Sequence, residues 1–281
     1  MSREDWQDLP LGQETDYESR YNPQLLHPIP RAVSRAQLGL EDDALPFTGA
    51  DEWWGFELSW LNEKGLPQVA VARFRFAALS PFMIESKSFK LYLNSFNQSE
   101  FTSAAAVCET LQQDLSKAAG SDVAVNLFAV DDPALDVVSP VGFCIDQLDI
   151  ETRQYQPDSS LLKLAEPGVQ AKEVQVQETL YSHLLRSNCP VTGQPDWATV
   201  SIEYTGPALD RAGLLAYIVS FREHQDFHEH CVERMFCDLQ KLAAFESLTV
   251  CARYTRRGGL DINPLRTSRG EIVFPGRFAR Q

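Results

Sequence analysis

The sequence predicts an α+β protein built from two similar modules in tandem. Three observations predict it. Apolar and polar residues alternate in several short runs, the period of half-buried strands. Two longer segments repeat apolar residues at helical spacing. The order hairpin, helix, strand then occurs twice along the chain, with little residue identity between the halves.

The elements follow in order. Residues 1–45 are rich in Pro, Gln and charge, and are expected to form an irregular arm or covering segment. The first module is assigned to residues 46–165. In it Phe56, Leu58 and Trp60 alternate with Glu57 and Ser59, Asn62 to Pro67 supplies a turn, and Val69 to Phe76 completes a hairpin. A helix is predicted over Thr102 to Ala119. Thr102 or Ser103 caps it, Val107, Leu111 and Leu115 share a face, and Gly120 stops it. Val123 to Val130 reads as a strand. Residues 157–172 contain Pro157, Asp158, Ser159, Pro167 and Gly168 and are the linker candidate. The second module is assigned to residues 166–281. There Ala198, Val200, Ile202 and Tyr204 alternate with polar neighbours, and Leu214 to Phe221 is expected to be the hairpin partner. A long helix is predicted over Gln225 to Phe245, with Phe227, Cys231, Met235, Leu239 and Leu242 on one stripe. Leu248 to Tyr254 is the last expected strand.

Composition bounds the function. A chain of 281 residues, 44% hydrophobic and 23% charged, suits two soluble globular domains. Asp and Glu number 39 against 25 Lys and Arg, a formal charge of −14. Such a surface repels phosphate backbones, and no basic stripe offsets it, so no direct nucleic-acid partner is expected. An anionic ligand would need a local basic cluster. The six cysteines form no C-x-x-C pair, Met1 to Asp8 is polar, and no run approaches 18 apolar residues. A cytoplasmic protein with reduced thiols and no membrane span is expected.

Four segments contain chemistry. Ser187-Asn188-Cys189-Pro190-Val191-Thr192-Gly193-Gln194-Pro195-Asp196 puts a cysteine among turn formers, where a thiol can meet a ligand; the plainer alternative is a turn with a solvent-facing thiol and a capping Asp196. In Phe221 to Cys231, His224 and His228 have the i, i+4 spacing of paired zinc ligands, or else the helix start simply presents polar groups to a pocket. Glu85-Ser86-Lys87-Ser88-Phe89-Lys90 combines an acid, two hydroxyls and two lysines; Lys87 and Lys90 suit phosphates, or the run is an amphipathic helix start capped by Ser86 or Ser88. Arg253 to Pro264 is a basic, Gly-containing loop, suited to a phosphate or to plain solvent. No G-x-G-x-x-G follows the first strand of a βαβ unit, so a Rossmann cofactor site is not indicated.

Taken together these segments resemble the QueF family of nitrile reductases, in its longer, two-module form. Glu85 to Lys90 is similar to the family's signature hexapeptide, Ser187 to Asp196 to its nucleophile loop, His228-Glu229 to its substrate-reading pair and Arg257-Gly258 to its cofactor contact. The resemblance covers nearly the whole chain except the arm. It implies two tandem tunnelling-fold (T-fold) modules, each an antiparallel sheet backed by helices. It implies reduction of 7-cyano-7-deazaguanine to 7-aminomethyl-7-deazaguanine by NADPH in queuosine biosynthesis, by a homodimer that binds no metal.

The same resemblance implies the roles. Cys189 adds to the nitrile carbon to give a thioimide, a better hydride acceptor, and Asp196 gives the nitrogen its proton. Glu229 accepts the N–H donors of the guanine-like edge and His228 places the ring. Ile84, Glu85 and Ser86 complete the substrate pocket. Ser86, Lys87, Arg257 and Gly258 hold NADPH. Because cysteine and hexapeptide come from different halves, the site is expected at a module or subunit junction. Two rivals stand beside this reading. A zinc-dependent cyclohydrolase of the same fold would use the His224/His228 spacing, but the Cys-Glu-His-His run of those enzymes is missing. A non-catalytic purine-binding module would need Glu229 but no nucleophile paired with an acid.

Overall fold

The structure is a computed structural model that describes residues 17–166, 175–270 and 273–281. It is α+β, as expected. Two compact units divide the chain. The first holds the described part of Met1–Ala44, with Ala50–Asp136 and Arg256–Ile262; the second holds Leu45–Gly49 and the described parts of Val137–Thr255 and Asn263–Gln281. The main division falls between Asp136 and Val137, and the short segments Leu45–Gly49 and Arg256–Ile262 each group with the other unit. Periodicity reports neighbours along the chain and carries no signal for such an exchange.

In the first unit the described part of the arm contains some regular structure. A 3-10 turn at Pro23–Leu25 leads to β1 (Pro28–Pro30) and α1 (Ala32–Gln37). β1 pairs antiparallel with β4 (Phe82–Ile84). Its two prolines lack N–H donors, which suits a short ribbon rather than a central strand. Arg31 is 1% exposed and its Nη2 lies 2.6 Å from Asp51 Oδ2. Removing one partner of such a buried pair typically costs about 3–5 kcal/mol, because the other charge stays buried.

β2 (Thr48–Leu61) and β3 (Pro67–Ala77) form the expected hairpin, with a register shift between Gly55 and Leu58. β5 (Val123–Phe128) adds antiparallel to β3. α2 (Ser86–Asn94) and α3 (Ala104–Ala119) supply the helices. Ser103 caps α3 through a bond from the Ala106 amide, and Gly120 ends it in the left-handed conformation. Trp53, Phe74 and Phe76 from the strands, Phe89, Tyr92 and Phe96 from the α2 region, and Leu111 and Leu115 from α3 form one buried cluster. Each such side chain contributes roughly 1.5–3 kcal/mol on burial.

The second unit again runs hairpin, two helices, strand. β6 (Phe143–Cys144) pairs parallel with β7 (Gln175–Asn188). β7 pairs antiparallel with β8 (Pro195–Pro207), which pairs with β9 (Ser247–Tyr254). Leu265, Arg266 and Thr267 of β10 (Leu260–Thr267) pair with β9. The hairpin partner of β8 is thus β7, before it in sequence, and not Leu214 to Phe221. That run is helix α4 (Arg211–Ser220), started by Asp210, whose side chain accepts from the amides of Ala212 and Gly213. A short, continuous apolar run fits a buried strand and a buried helix equally, and the cap decides for helix. β10 itself overlaps the stretch Arg253 to Pro264, which the sequence presents as a loop. The second helix, α5 (His228–Leu242), begins three residues later than predicted, and it packs on β9 with Cys231, Met235 and Leu239 buried.

The linker candidate is described only to residue 166, where a 3-10 turn occupies Ser159–Leu161; Pro167 and Gly168 lie outside the described residues, as does the polar start Met1 to Asp8. Among the described residues no helix is long and apolar enough to cross a membrane.

Candidate active site

In the second unit, residues 189–194 join β7 to β8 as a closed loop. The Cys189 amide donates to Gln194 O at 2.8 Å, and the Gly193 amide donates back to Cys189 O at 2.9 Å. These bonds fix the Cys189 backbone. The residue is 2% exposed, so the reading of a solvent-facing thiol does not hold. Asp196, 3% exposed, sits at the start of β8 opposite Ser187 of β7.

The segment entering α5 is tied to the same loop. Asn188 donates its amide to His224 O at 2.7 Å, and Asp226 donates its amide to Asn188 O at 3.2 Å. This places the start of α5 against the residue preceding Cys189. Phe227 at the N-cap makes no side-chain cap bond; instead Asp226 Oδ1 accepts the Phe227 amide at 2.8 Å. Asp226 also faces His224 Nε2 at 3.4 Å and His230 Nδ1 at 3.2 Å. Burial acts to raise the Asp226 carboxyl, but the bonds to His224 and His230 win and hold it well below the carboxylate range. His224 lies before α5 begins, so the helical i, i+4 pairing of His224 with His228 does not form. Among the described residues, three metal-ligating side chains converge within 4.8 Å at Cys144, Asp146 and His183, and not at this histidine cluster.

His228 instead meets Asp196. Its Nε2 lies 3.2 Å from Asp196 Oδ2, and its Nδ1 is buried with no hydrogen-bond partner. The imidazole stacks on Tyr254, with centroids 3.8 Å apart and planes 12° from parallel. β8 sets this geometry. Ala198 pairs with Tyr254, and Asp196, two residues earlier, presents its side chain to the same face. Glu229 follows in the first turn of α5 and is 3% exposed. A helix N-terminus favours a carboxylate there. Tyr254 is the residue that sequence reasoning overlooked. The strand alternation that puts Ala252 on the core face also puts Tyr254 there, and that was the available signal.

The remaining thiols of the helix are packing groups. Burial pushes the Cys231 thiol far up, with the Asp226 charge adding to it, and pushes Cys237 up to about 11. Such thiols are poor nucleophiles near neutral pH.

The first unit holds the other predicted residues. Glu85, and not Ser86 or Ser88, caps α2. Its carboxylate accepts the Lys87 amide at 2.8 Å and the Ser88 amide at 2.6 Å, while Ser88 Oγ donates to Glu85 O. Burial pushes the Glu85 carboxyl above its usual range, against the two amide bonds that pull it down. Ile84 is buried at the end of β4, next to Glu85, and Ser86 and Lys87 are half-buried in the first turn of α2. The loop before β10 closes where the Arg257 amide donates to Leu260 O at 2.8 Å. Gly258 and Gly259 take φ of 58° and 78°. A Cβ on Gly258 would stand 3.0 Å from Lys90 Cδ, and one on Gly259 would collide with Glu57. The left-handed backbone at both positions favours glycine, whereas the Lys90 and Glu57 side-chain ends could shift aside. The effect is to lay the Arg257-Gly258 turn against Lys90 of α2. Arg256 covers the Phe56 ring at 3.4 Å. Arg256, Arg257 and Lys90 therefore gather beside these glycines, with Glu57 Oε2 3.7 Å from Lys90 Nζ, and the basic groups could hold a phosphate-bearing cofactor.

Known families and relatives are similar to the chain along most of its length. The family described as "Nitrile reductase, 7-cyano-7-deazaguanine-reductase N-term" matches residues 17–127, and the family described as "QueF-like protein" matches residues 195–271. A relative from Chromohalobacter salexigens, named NADPH-dependent 7-cyano-7-deazaguanine reductase, is 57% identical over 273 residues, covering 97% of this chain and 96% of its own. A relative of the same name from Dechloromonas aromatica is 57% identical, covering 95% of this chain and 92% of its own. Another from Colwellia psychrerythraea is 53% identical, covering 97% and 96%.

Proposed function

The chain belongs to the QueF family of nitrile reductases, and we infer from this membership that it is an enzyme reducing 7-cyano-7-deazaguanine with NADPH. We propose further that Cys189 and Asp196 carry the chemistry, that the product is 7-aminomethyl-7-deazaguanine, a step of queuosine biosynthesis, and that each unit is a T-fold module. The observation that carries the site assignment is the contact of Asp196 with His228, on the strand that begins just after the buried Cys189 loop.

A nitrile carbon accepts hydride poorly. Addition of the Cys189 thiolate forms a C–S bond, and one C≡N electron pair moves to nitrogen, which takes a proton from Asp196. The thioimide so formed is more electrophilic. NADPH, when bound, would supply the two hydrides of the reduction. Once carbon has gained the first, the C–S bond would break with its pair returning to Cys189, leaving an imine whose nitrogen would take a further proton by way of Asp196 as carbon gains the second hydride. Asp196 is within reach of His228, so the proton it gives can be replaced through the imidazole. Glu229 accepts N–H donors of the base, His228 helps place the ring, and Ile84, Glu85 and Ser86 contribute to the base pocket. Ser86, Lys87, Arg257 and Gly258 would hold the phosphate-bearing cofactor. The working form is proposed as a homodimer.

One experiment tests the core of this reading. The protein is incubated with the nitrile alone and weighed. Wild type gains the mass of the substrate, and Cys189→Ala does not. An adduct that survives in Cys189→Ala places the nucleophile elsewhere. With NADPH added, absorbance at the nicotinamide band falls and the amine appears by mass.

A further inference from the structure

We propose that Cys144, Asp146 and His183 form a binding site for a divalent transition cation, zinc by chemistry, which clips strand β6 to β7. One ligand atom from each of these residues lies within 4.8 Å of the other two, and none of the three takes part in the chemistry assigned above.

The backbone dictates the convergence. β6 runs parallel to β7 with Cys144 opposite Tyr181, and the Ile145 amide donates to Tyr181 O at 3.0 Å. Cys144 ends β6 and Asp146 lies in the turn just after it, where its ligand atom comes near that of Cys144. His183 stands two residues beyond Tyr181 and meets them there. Asp146 Oδ2 accepts the His183 amide at 3.0 Å, which holds the carboxylate in place. Its second oxygen, Oδ1, is buried and has no hydrogen-bond partner. An unsatisfied buried carboxylate oxygen is costly unless something else occupies it.

The imidazole is prepared as a metal-binding histidine usually is. His183 Nδ1 lies 2.8 Å from Thr199 Oγ1, which leaves Nε2 to coordinate. The donor set is one thiol sulfur, one carboxylate oxygen and one imidazole nitrogen. A thiolate and a carboxylate together neutralise a dication, and mixed S/N/O donors select zinc over calcium or magnesium. Tetrahedral zinc with bonds of ~2.0–2.3 Å sets its ligand atoms roughly 3.3–3.6 Å apart. The ligand atoms lie within 4.8 Å of one another, so binding would draw them together. The three residues are half-buried, so solvent can fill a fourth position.

β6 has two residues and pairs only by its parallel contact with β7 among the described residues. A cation shared by Cys144 and Asp146 on one side and His183 on the other would cross-link that pairing. On binding, Cys144 releases its proton to solvent as the S–metal bond forms, with no change of oxidation state. This assignment also changes how metal content is interpreted. One zinc per chain does not by itself indicate a cyclohydrolase; the residues that bind it decide.

The test uses the full chain, stripped with chelator and titrated with Co(II), then with Zn(II). Wild type should bind one equivalent with the visible bands of tetrahedral cobalt and a thiolate-to-cobalt charge-transfer band, which Zn(II) then abolishes. Cys144→Ser should lose the charge-transfer band, and Asp146→Asn and His183→Gln should fail to saturate at the same concentrations. Thr199→Val, which removes only the bond to Nδ1, should weaken binding by roughly 10–100-fold. Zinc should raise the melting temperature of wild type and not that of Cys144→Ser. If Cys144→Ser proves unfolded by circular dichroism, Asp146→Asn serves the same comparison. Bands that persist in Cys144→Ser, bands that vanish in Cys189→Ala, or no cobalt spectrum at all would overturn the proposal.

Discussion

His228 Nε2 lies 3.2 Å from Asp196 Oδ2, with side-chain exposures of 9% and 3%. Both groups can carry a proton, and water has little access to either. In the mechanism proposed above, Asp196 gives the nitrile nitrogen its proton. Asp196→Asn retains the shape and the contact but removes the acid. General acid catalysis contributes typically 10²–10⁴-fold, so kcat should fall by roughly that factor while the base still binds. Stopped-flow measurement of adduct formation, with base affinity measured separately, checks this. Equal rates for the variant and wild type would remove Asp196 as the acid.

Tyr254 positions His228 and touches no reacting atom in the mechanism above. Its ring stacks on the imidazole at 3.8 Å between centroids. Aromatic pairs of this kind contribute about 0.5–1.5 kcal/mol beyond their area, so losing the stack should lower kcat by roughly 2–12-fold. Tyr254→Leu should show this loss with KM for NADPH unchanged. Tyr254→Phe keeps the ring and should restore the rate. A purely structural role predicts otherwise: both variants would lose stability together and the Phe variant would not rescue turnover.

Glu85 makes a prediction about pH. Burial raises its folded-state pKa above the unfolded value. The folded state then holds the proton more tightly than the unfolded state. Its charged form therefore costs stability at neutral pH, and that cost is relieved as pH falls through the folded pKa toward the unfolded one. Glu85→Gln cannot titrate. Wild type should gain stability relative to Glu85→Gln as pH drops from 7 toward 4, read from urea midpoints. A difference that stays flat across this range contradicts the assignment.

The first unit was largely legible in the sequence because its signals are local. Ser103 and Gly120 bracket α3, and the alternation around Leu58 marks β2, each within a few residues. Legibility ended where partners are distant. Leu214 to Phe221 shows an apolar run that no period resolves, and only Asp210 reveals it as a helix. Glu85 caps α2, although serines beside it looked the better caps, because its carboxylate can reach two amides at once. The charged groups of the candidate site were found by motif. Tyr254 and the Asp226 clasp on His224 and His230 were not: strand alternation puts Tyr254 on the core face but does not give its stacking on His228, and the clasp has no sequence spacing. Cys144, Asp146 and His183 are likewise 37 residues or more apart between the first two and the third, and only the β6–β7 pairing unites them.

The division of labour between base and cofactor gives the last prediction. Glu229 lies buried in the first turn of α5, in the same unit as Cys189. Lys87 lies in the first turn of α2, one turn from Lys90, against which Gly258 packs. Charge matching assigns them different ligands. A carboxylate accepts the N–H donors of a guanine-like edge, whereas ammonium and guanidinium groups meet phosphates. Leaving a buried donor unpaired costs about 1–3 kcal/mol, so Glu229→Leu should weaken the base by roughly tenfold or more. It should leave NADPH affinity nearly unchanged. Lys87→Ala should do the reverse, and its effect should shrink as salt is raised, because the attraction is electrostatic and partly exposed to solvent. Each ligand is titrated separately against each variant by calorimetry. If both variants impair both ligands alike, the two residues have no separate roles, and the assignment of base to Glu229 and cofactor to Lys87 fails.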